Sequence, residues 1–211
     1  IRFSINGEWK ISIYLIIFAS VFDFFDGWFA RKLKGHSNFG AELDSLSDFI
    51  SFGVAPSILI YFWTLTSLNS LGWSVVLFFA ACAALRLARF TADIYLTNKP
   101  IDSTVYFTGI PSPAAAGLTL LPLFIYFEFD LSIIKNSYLN FFNLAIIGFL
   151  MISKIPTISL KSINFSKKIA PWIVLLIVLI CIGLISNLWL TLIILAFTYI
   201  ISILYTVVNN R

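Results

Sequence analysis

Charge is scarce in this 211-residue sequence: 14 Lys and Arg and 10 Asp and Glu together make up 11% of it, against about 25% in an ordinary soluble domain. The shortfall argues against both a water-soluble enzyme and a disordered tail, since neither can be kept solvated by so few charges. Cysteine is limited to Cys82 and Cys181, both inside apolar runs and without metal-ligand spacing. That excludes a disulfide scaffold and a zinc site. The net charge of +4 and the pI near 9.1 do not point to nucleic acid, because no basic run is interleaved with aromatic residues. The sequence has no starting Met and no recognisable signal peptide. It is therefore expected to begin part way into a longer product, with a further hydrophobic helix upstream.

What the sequence has instead is apolar length. Hydrophobic residues make up 60% of it, and residues 51–85, 103–127, 136–153 and 169–210 contain no Asp, Glu, Lys or Arg. Crossing a bilayer takes about 17–25 apolar residues, so each stretch can cross once and the last twice. With Gly, Pro and charge as punctuation, helices are expected near 11–30, 50–68, 72–91, 112–129, 138–153, 170–186 and 188–207. The expected fold is all-α, a polytopic integral membrane bundle of about seven spans in a single domain over 1–211. The segment 37–48 reads as a half-exposed helix at the membrane face.

Alternating these spans puts Arg31, Lys32, Lys34, Arg86, Arg89, Lys99, Lys154, Lys161, Lys167, Lys168 and Arg211 on one side, and Arg2, Lys10 and Lys135 on the other. By the positive-inside rule, the loops at 31–49, 92–111 and 154–169 face the cytoplasm.

Chemistry concentrates in one place. Asp23 and Asp26 end an otherwise apolar segment, where acids are costly enough to signal function. At helical spacing Asp23, Asp26, Gly27 and Ala30 share one stripe, and Gly40, Asp44 and Asp48 share another. If the stripes face each other, four carboxylates converge beside three positions with little or no side chain. Such a cluster, without His or Cys, offers hard oxygen ligands suited to Mg²⁺, Mn²⁺ or Ca²⁺. Four acids could hold two divalent ions that clamp a phosphate or pyrophosphate, with Arg31 as an added phosphate contact.

The pattern Asp23, Asp26, Gly27, Ala30, Arg31, eight residues, Gly40, Asp44 and Asp48 resembles the signature of the CDP-alcohol phosphatidyltransferase family, D-x-x-D-G-x-x-A-R-x8-G-x-x-x-D-x-x-x-D, at every specified position. Four further segments resemble the bacterial and archaeal members of that family that use L-serine. They are Ser51 to Pro56, Ala84 to Phe90, Gly109 to Pro113 with its three following alanines, and Ser153 to Pro156. The resemblance covers about 20–161, with the signature at 23–48, and the C-terminal helices over 170–207 are less characteristic.

The resemblance implies transfer of the phosphatidyl group of CDP-diacylglycerol to an acceptor hydroxyl, with release of CMP. It implies Mg²⁺ or Mn²⁺, as two ions, held by Asp23, Asp26 and Asp44, with Asp48 as general base and a further contact to the second ion. Gly27, Ala30, Arg31 and Gly40 would accommodate the cytidine nucleotide. Arg86 and Arg89, three apart on one helical face, would receive the serine carboxylate, with Lys154 as another anion contact. The partners implied are CDP-diacylglycerol, L-serine, membrane lipids and a second copy of the chain in a homodimer. The setting implied is a bacterial or archaeal cell membrane. Other acceptors in the family, such as glycerol 3-phosphate, inositol phosphate or choline, form the nearest alternative. A cation-coupled membrane carrier is the alternative from another class, disfavoured because Arg31, Lys32 and Lys34 put the acids near a membrane face rather than mid-membrane.

Overall fold

Long apolar runs force backbone polar groups to pair within their own segment, and helices are the open-chain solution. The computed structural model of the chain describes residues 1–33, 38–96, 106–153, 156–158 and 170–209. The short α1 (Arg2–Ile5) is followed by α2 (Trp9–Leu33), α3 (Asn38–Asp48), α4 (Ala55–Trp63), α5 (Asn69–Leu96), α6 (Ser112–Phe129), α7 (Ser137–Ile152), α8 (Ala170–Ser186) and α9 (Leu188–Asn209). Among the described residues, four stretches are long and apolar enough to cross a membrane: Glu42–Trp63, Leu65–Arg89, Ser112–Phe129 and Leu188–Val208. Ser137–Ile152 and Val174–Ser186 are shorter apolar helices. The chain is thus a helical integral membrane protein, as its composition implies.

Local sequence sets the boundaries. Pro113 sits in the first turn of α6, after the extended Pro111, where a missing N–H costs nothing. Asn136 caps α7, its side chain accepting from the N–H groups of Tyr138 (2.9 Å) and Leu139 (3.4 Å). Asp130 ends α6 in the left-handed conformation (φ 50°, ψ 33°), its N–H donating to the Tyr126 carbonyl.

Two features depart from the expected pattern. The polar helix over 38–48 does not stand apart from the next span: a π-helical segment, Phe49–Val54, joins α3 to α4 in one unbroken run. No Pro or left-handed Gly lies between Asp48 and Gly53 to stop the helix, and the wider π turn absorbs the junction. The second departure is a small β pairing in an otherwise helical chain. Strands β1 (Tyr106–Thr108) and β2 (Pro156–Ile158) run antiparallel, with Tyr106 opposite Ile158 and Thr108 opposite Pro156. The expected loops at 92–111 and 154–169 thus meet, as segments on the same side of the bundle should.

The two ends of the bundle differ in the way the alternating spans require. At one end, Lys10 lies 5.3 Å from the Phe127 ring centroid, and Asn187 donates to Glu128 at 2.9 Å. At the other, Arg86 bonds Ser112, and Arg89 donates to the Ile152 carbonyl at 3.1 Å. The core runs between these ends through Phe52, Leu59, Ile60, Phe79, Leu123 and Leu144, all fully buried. Helix α5 packs against α7 and the 38–63 run, α6 packs against α9, and α9 is the main support of α8. Close approach relies on small residues: a Cβ added at Gly53 would lie 2.8 Å from the Ala83 Cβ, and one at Gly183 2.8 Å from the Thr191 hydroxyl.

Gly109 holds φ +80°, and a Cβ there would fall 2.5 Å from the Met151 carbonyl oxygen. Gly109→Ala is expected to cost about 1–3 kcal/mol of stability. Gly117→Ala, where an added Cβ meets nothing within 4 Å, is expected to be neutral or to gain up to ~1 kcal/mol. Thermal unfolding of the two variants in detergent checks this, and equal melting temperatures would contradict it.

Candidate functional site

Asp23 and Asp26 stand one turn apart near the end of α2, Asp44 lies on α3, and Asp48 is the last residue of α3 before the π segment. The run over 38–63 packs between α2 and α5, so the two acid stripes are brought together as their spacing implied. Asp23 and Asp48 are half-buried, while Asp26 and Asp44 are exposed. The side chains of Asp23 and Asp48 are within hydrogen-bonding reach of each other, and Asp48 is also in electrostatic range of Asp44 and Arg86. Asp23 and Asp44 both lie in range of Asp26. Two carboxyl groups can share such a contact only with a proton or a cation between them.

Side-chain bonds hold this arrangement from the α5 side. The hydroxyls of Ser45 and Thr91 are 3.3 Å apart, and Thr91 also donates to the Leu87 carbonyl at 3.0 Å. Phe52, one turn beyond Asp48, is fully buried. Together they fix the junction carrying Asp48 against α5.

The donor set suits a hard divalent cation: carboxylates only, on two facing elements. Among the described residues, however, no three His, Cys, Asp or Glu side chains are gathered closely enough to form a ready-made cage. A bound ion would have to draw the exposed Asp26 and Asp44 inward.

The two arginines hold different partners. Arg86 is partly buried and donates from Nη1 to the Ser112 hydroxyl at the start of α6. Arg89 is exposed and donates to the last turn of α7, where a cation is favoured by the helix dipole and the free carbonyls. Of the other expected contacts, Gly40 lies exposed on α3. Gly27, Ala30 and Arg31 lie on the last turns of α2, with their side chains outside the described residues. Lys154 lies outside the described residues altogether.

Sequence reasoning did not foresee the role of Ser112 as the acceptor for Arg86. Its only signal was a Ser framed by Pro111 and Pro113, a helix-start pattern. An open cleft bordered by Trp63, Ser67, Ile133 and Asn136 is not part of this site. It lies at the far end of α4, about 22 Å from Asp48 at 1.5 Å per residue, and its Ser67 and Ser137 hydroxyls bond each other at 2.7 Å.

A model of the CDP-alcohol phosphatidyltransferase family matches residues 1–156. A relative from Mycobacterium leprae named CDP-diacylglycerol–serine O-phosphatidyltransferase is 30% identical over 211 residues, all of this chain and 70% of its own length. Proteins of the same name from Methanocaldococcus jannaschii and Mycobacterium tuberculosis H37Rv are 41% and 40% identical. Those matches cover 68% and 55% of this chain and 62% and 40% of the respective relatives.

Bringing like charges together without a counterion costs stability. In chelator at alkaline pH, where no proton is left to be shared between the carboxyls, Asp48→Asn is therefore expected to raise stability by about 1 kcal/mol, because two repulsions are relieved and one attraction to Arg86 is lost. Thermal unfolding reads this out. A lower melting temperature would show that the Arg86 attraction outweighs the acid–acid repulsion.

Proposed function

Since the chain belongs to the CDP-alcohol phosphatidyltransferase family, we propose that it is the membrane enzyme that transfers the phosphatidyl group of CDP-diacylglycerol to L-serine, giving phosphatidylserine and CMP. The observation that carries this reading is the convergence of Asp23, Asp44 and Asp48 in electrostatic reach of one another, with Arg86 beside them. The choice of serine rests on the names of the relatives.

Asp48 is the base. A serine hydroxyl is a poor nucleophile until a carboxylate within hydrogen-bond reach takes its proton during attack. The serine oxygen bonds to the phosphatidyl phosphorus, and the bond from that phosphorus to the bridging oxygen breaks. CMP leaves with that electron pair, and the hydroxyl proton ends on Asp48. Asp48 is suited to this by its position, half-buried at the α3–π junction and backed by the buried Phe52.

Asp23, Asp26 and Asp44, with Asp48 in reach of a second ion, would hold Mg²⁺ or Mn²⁺. Bound divalent cations neutralise the charge that develops on the leaving phosphate. Gly27, Ala30, Arg31 and Gly40 border the space for the nucleotide. Arg86 is the contact for the serine carboxylate, and Arg89, bonded to the end of α7, holds the wall next to it. Lys154 is a further anion contact. The excess of basic residues at this end of the bundle supports a site facing the cytoplasm. Membrane lipids surround the spans, and the resemblance to the family supports a homodimer.

The test is CMP release by the purified chain in detergent with CDP-diacylglycerol, comparing L-serine, glycerol 3-phosphate, inositol phosphate, choline and no acceptor. Release is expected with L-serine, falling about 10²–10⁴-fold in Asp48→Asn. Release should stop on chelation and return with Mg²⁺ or Mn²⁺. Release with another acceptor alone would discard serine, and no release with any would overturn the transferase reading.

A further inference from the structure

Two buried polar atoms near the acids, on residues in electrostatic range of each other, have no hydrogen-bond partner among the described residues: Arg86 Nε and the Tyr199 hydroxyl. An unpaired buried donor costs about 1–3 kcal/mol, so two of them in electrostatic range call for an explanation. Arg86 cannot turn away freely, because its Nη1 is held by Ser112. Tyr199 comes from α9, which packs on α6, the helix that Ser112 begins.

Both orphan groups are donors, one of them on a cation. Two unpaired donors facing the same region suit the two oxygens of a carboxylate. The acids and Arg86 lie within residues 1–156, the part matched by the family, whereas Tyr199 lies outside it.

We infer that Tyr199 is an acceptor-positioning residue: its hydroxyl and Arg86 Nε together take the carboxylate of the amino-acid acceptor and so hold its hydroxyl toward Asp48. Asp48 and Tyr199 are both in electrostatic range of Arg86, as a small amino acid spanning them requires. The inference rests on the serine-transferase reading. Phosphate oxygens of the lipid nucleotide share the same anionic chemistry, and the two sources separate by which substrate's KM responds.

The experiment measures initial rates of the full chain in detergent against L-serine and CDP-diacylglycerol, for the unaltered protein and Tyr199→Phe. It also measures inhibition by L-alanine, which keeps the carboxylate, and by serinol, which lacks it. Tyr199→Phe is expected to raise the KM for L-serine and the Ki for L-alanine about tenfold or more. The KM for CDP-diacylglycerol and the Ki for serinol should stay unchanged. Equal weakening of L-alanine and serinol would reduce Tyr199 to a structural residue, and a raised KM for CDP-diacylglycerol alone would assign the pair to phosphate. Unchanged constants would remove Tyr199 from the site. If the unaltered protein itself shows no serine dependence, the transferase reading fails along with the inference, a result distinguishable because it appears before any substitution.

Discussion

Like charges on α2 and on the 38–63 run repel, and the packing around them must hold them together. At 4 Å a pair of unit charges repels by about 4 kcal/mol even with an effective dielectric of 20. Inside a bilayer the hydrophobic effect gives little to helix–helix contact, so the opposing force comes from close packing and hydrogen bonds. The structure supplies both next to the acids. Gly53 lets the run come within contact of Ala83, the buried Phe52 fills the space beside it, and the hydroxyls of Ser45 and Thr91 meet across α3 and α5. The π segment sits at the junction between the acids and this packing. A wider turn there lets the exposed polar face of α3 and the buried face of α4 each meet its own surroundings.

Helix α5 divides two tasks between residues three apart. Arg86 is turned into the bundle toward Asp48 and Ser112, whereas Arg89 reaches outward to the end of α7. A rotation of about 300° over three residues leaves the two side chains some 60° apart on the helix. That is enough for one arginine to face Asp48 and Ser112 and the other the end of α7. The inner arginine also offsets part of the acid–acid repulsion.

The spans were legible in the sequence because charge-free length carries the signal: Ser112–Phe129 and Ala170–Ser186 coincide with the expected helices. The two acid stripes were legible from helical spacing, whereas their meeting was only a condition that spacing allowed and depends on the packing of the 38–63 run on α2. What spacing could not reveal depends on contacts distant in sequence. The continuity of α3 with α4 follows from the absence of a stop signal, and absences are weak signals. The β1–β2 pairing joins residues 50 apart that have no strand pattern beyond three residues. Tyr199 reads as one more aromatic in an apolar span, and only the packing of α9 on α6 gives it a polar neighbour.

The C-terminal helices show why such a residue is hard to see. Helix α8 exposes its apolar residues almost all round, with Trp172 69% and Ile185 87% accessible, as a helix facing acyl chains can. Helix α9 is equally apolar in composition yet buries Ile193 and Thr206 and half-buries Tyr199. Composition alone assigns both to lipid. On α2, exposed Phe22 and Phe25 flank Asp23 and Asp26, so apolar surface and carboxylates adjoin within a single turn. A substrate whose charged end and hydrocarbon tails are covalently joined needs that adjacency: its phosphates can meet the acids while its chains stay in the bilayer, and neither part has to be desolvated against its preference.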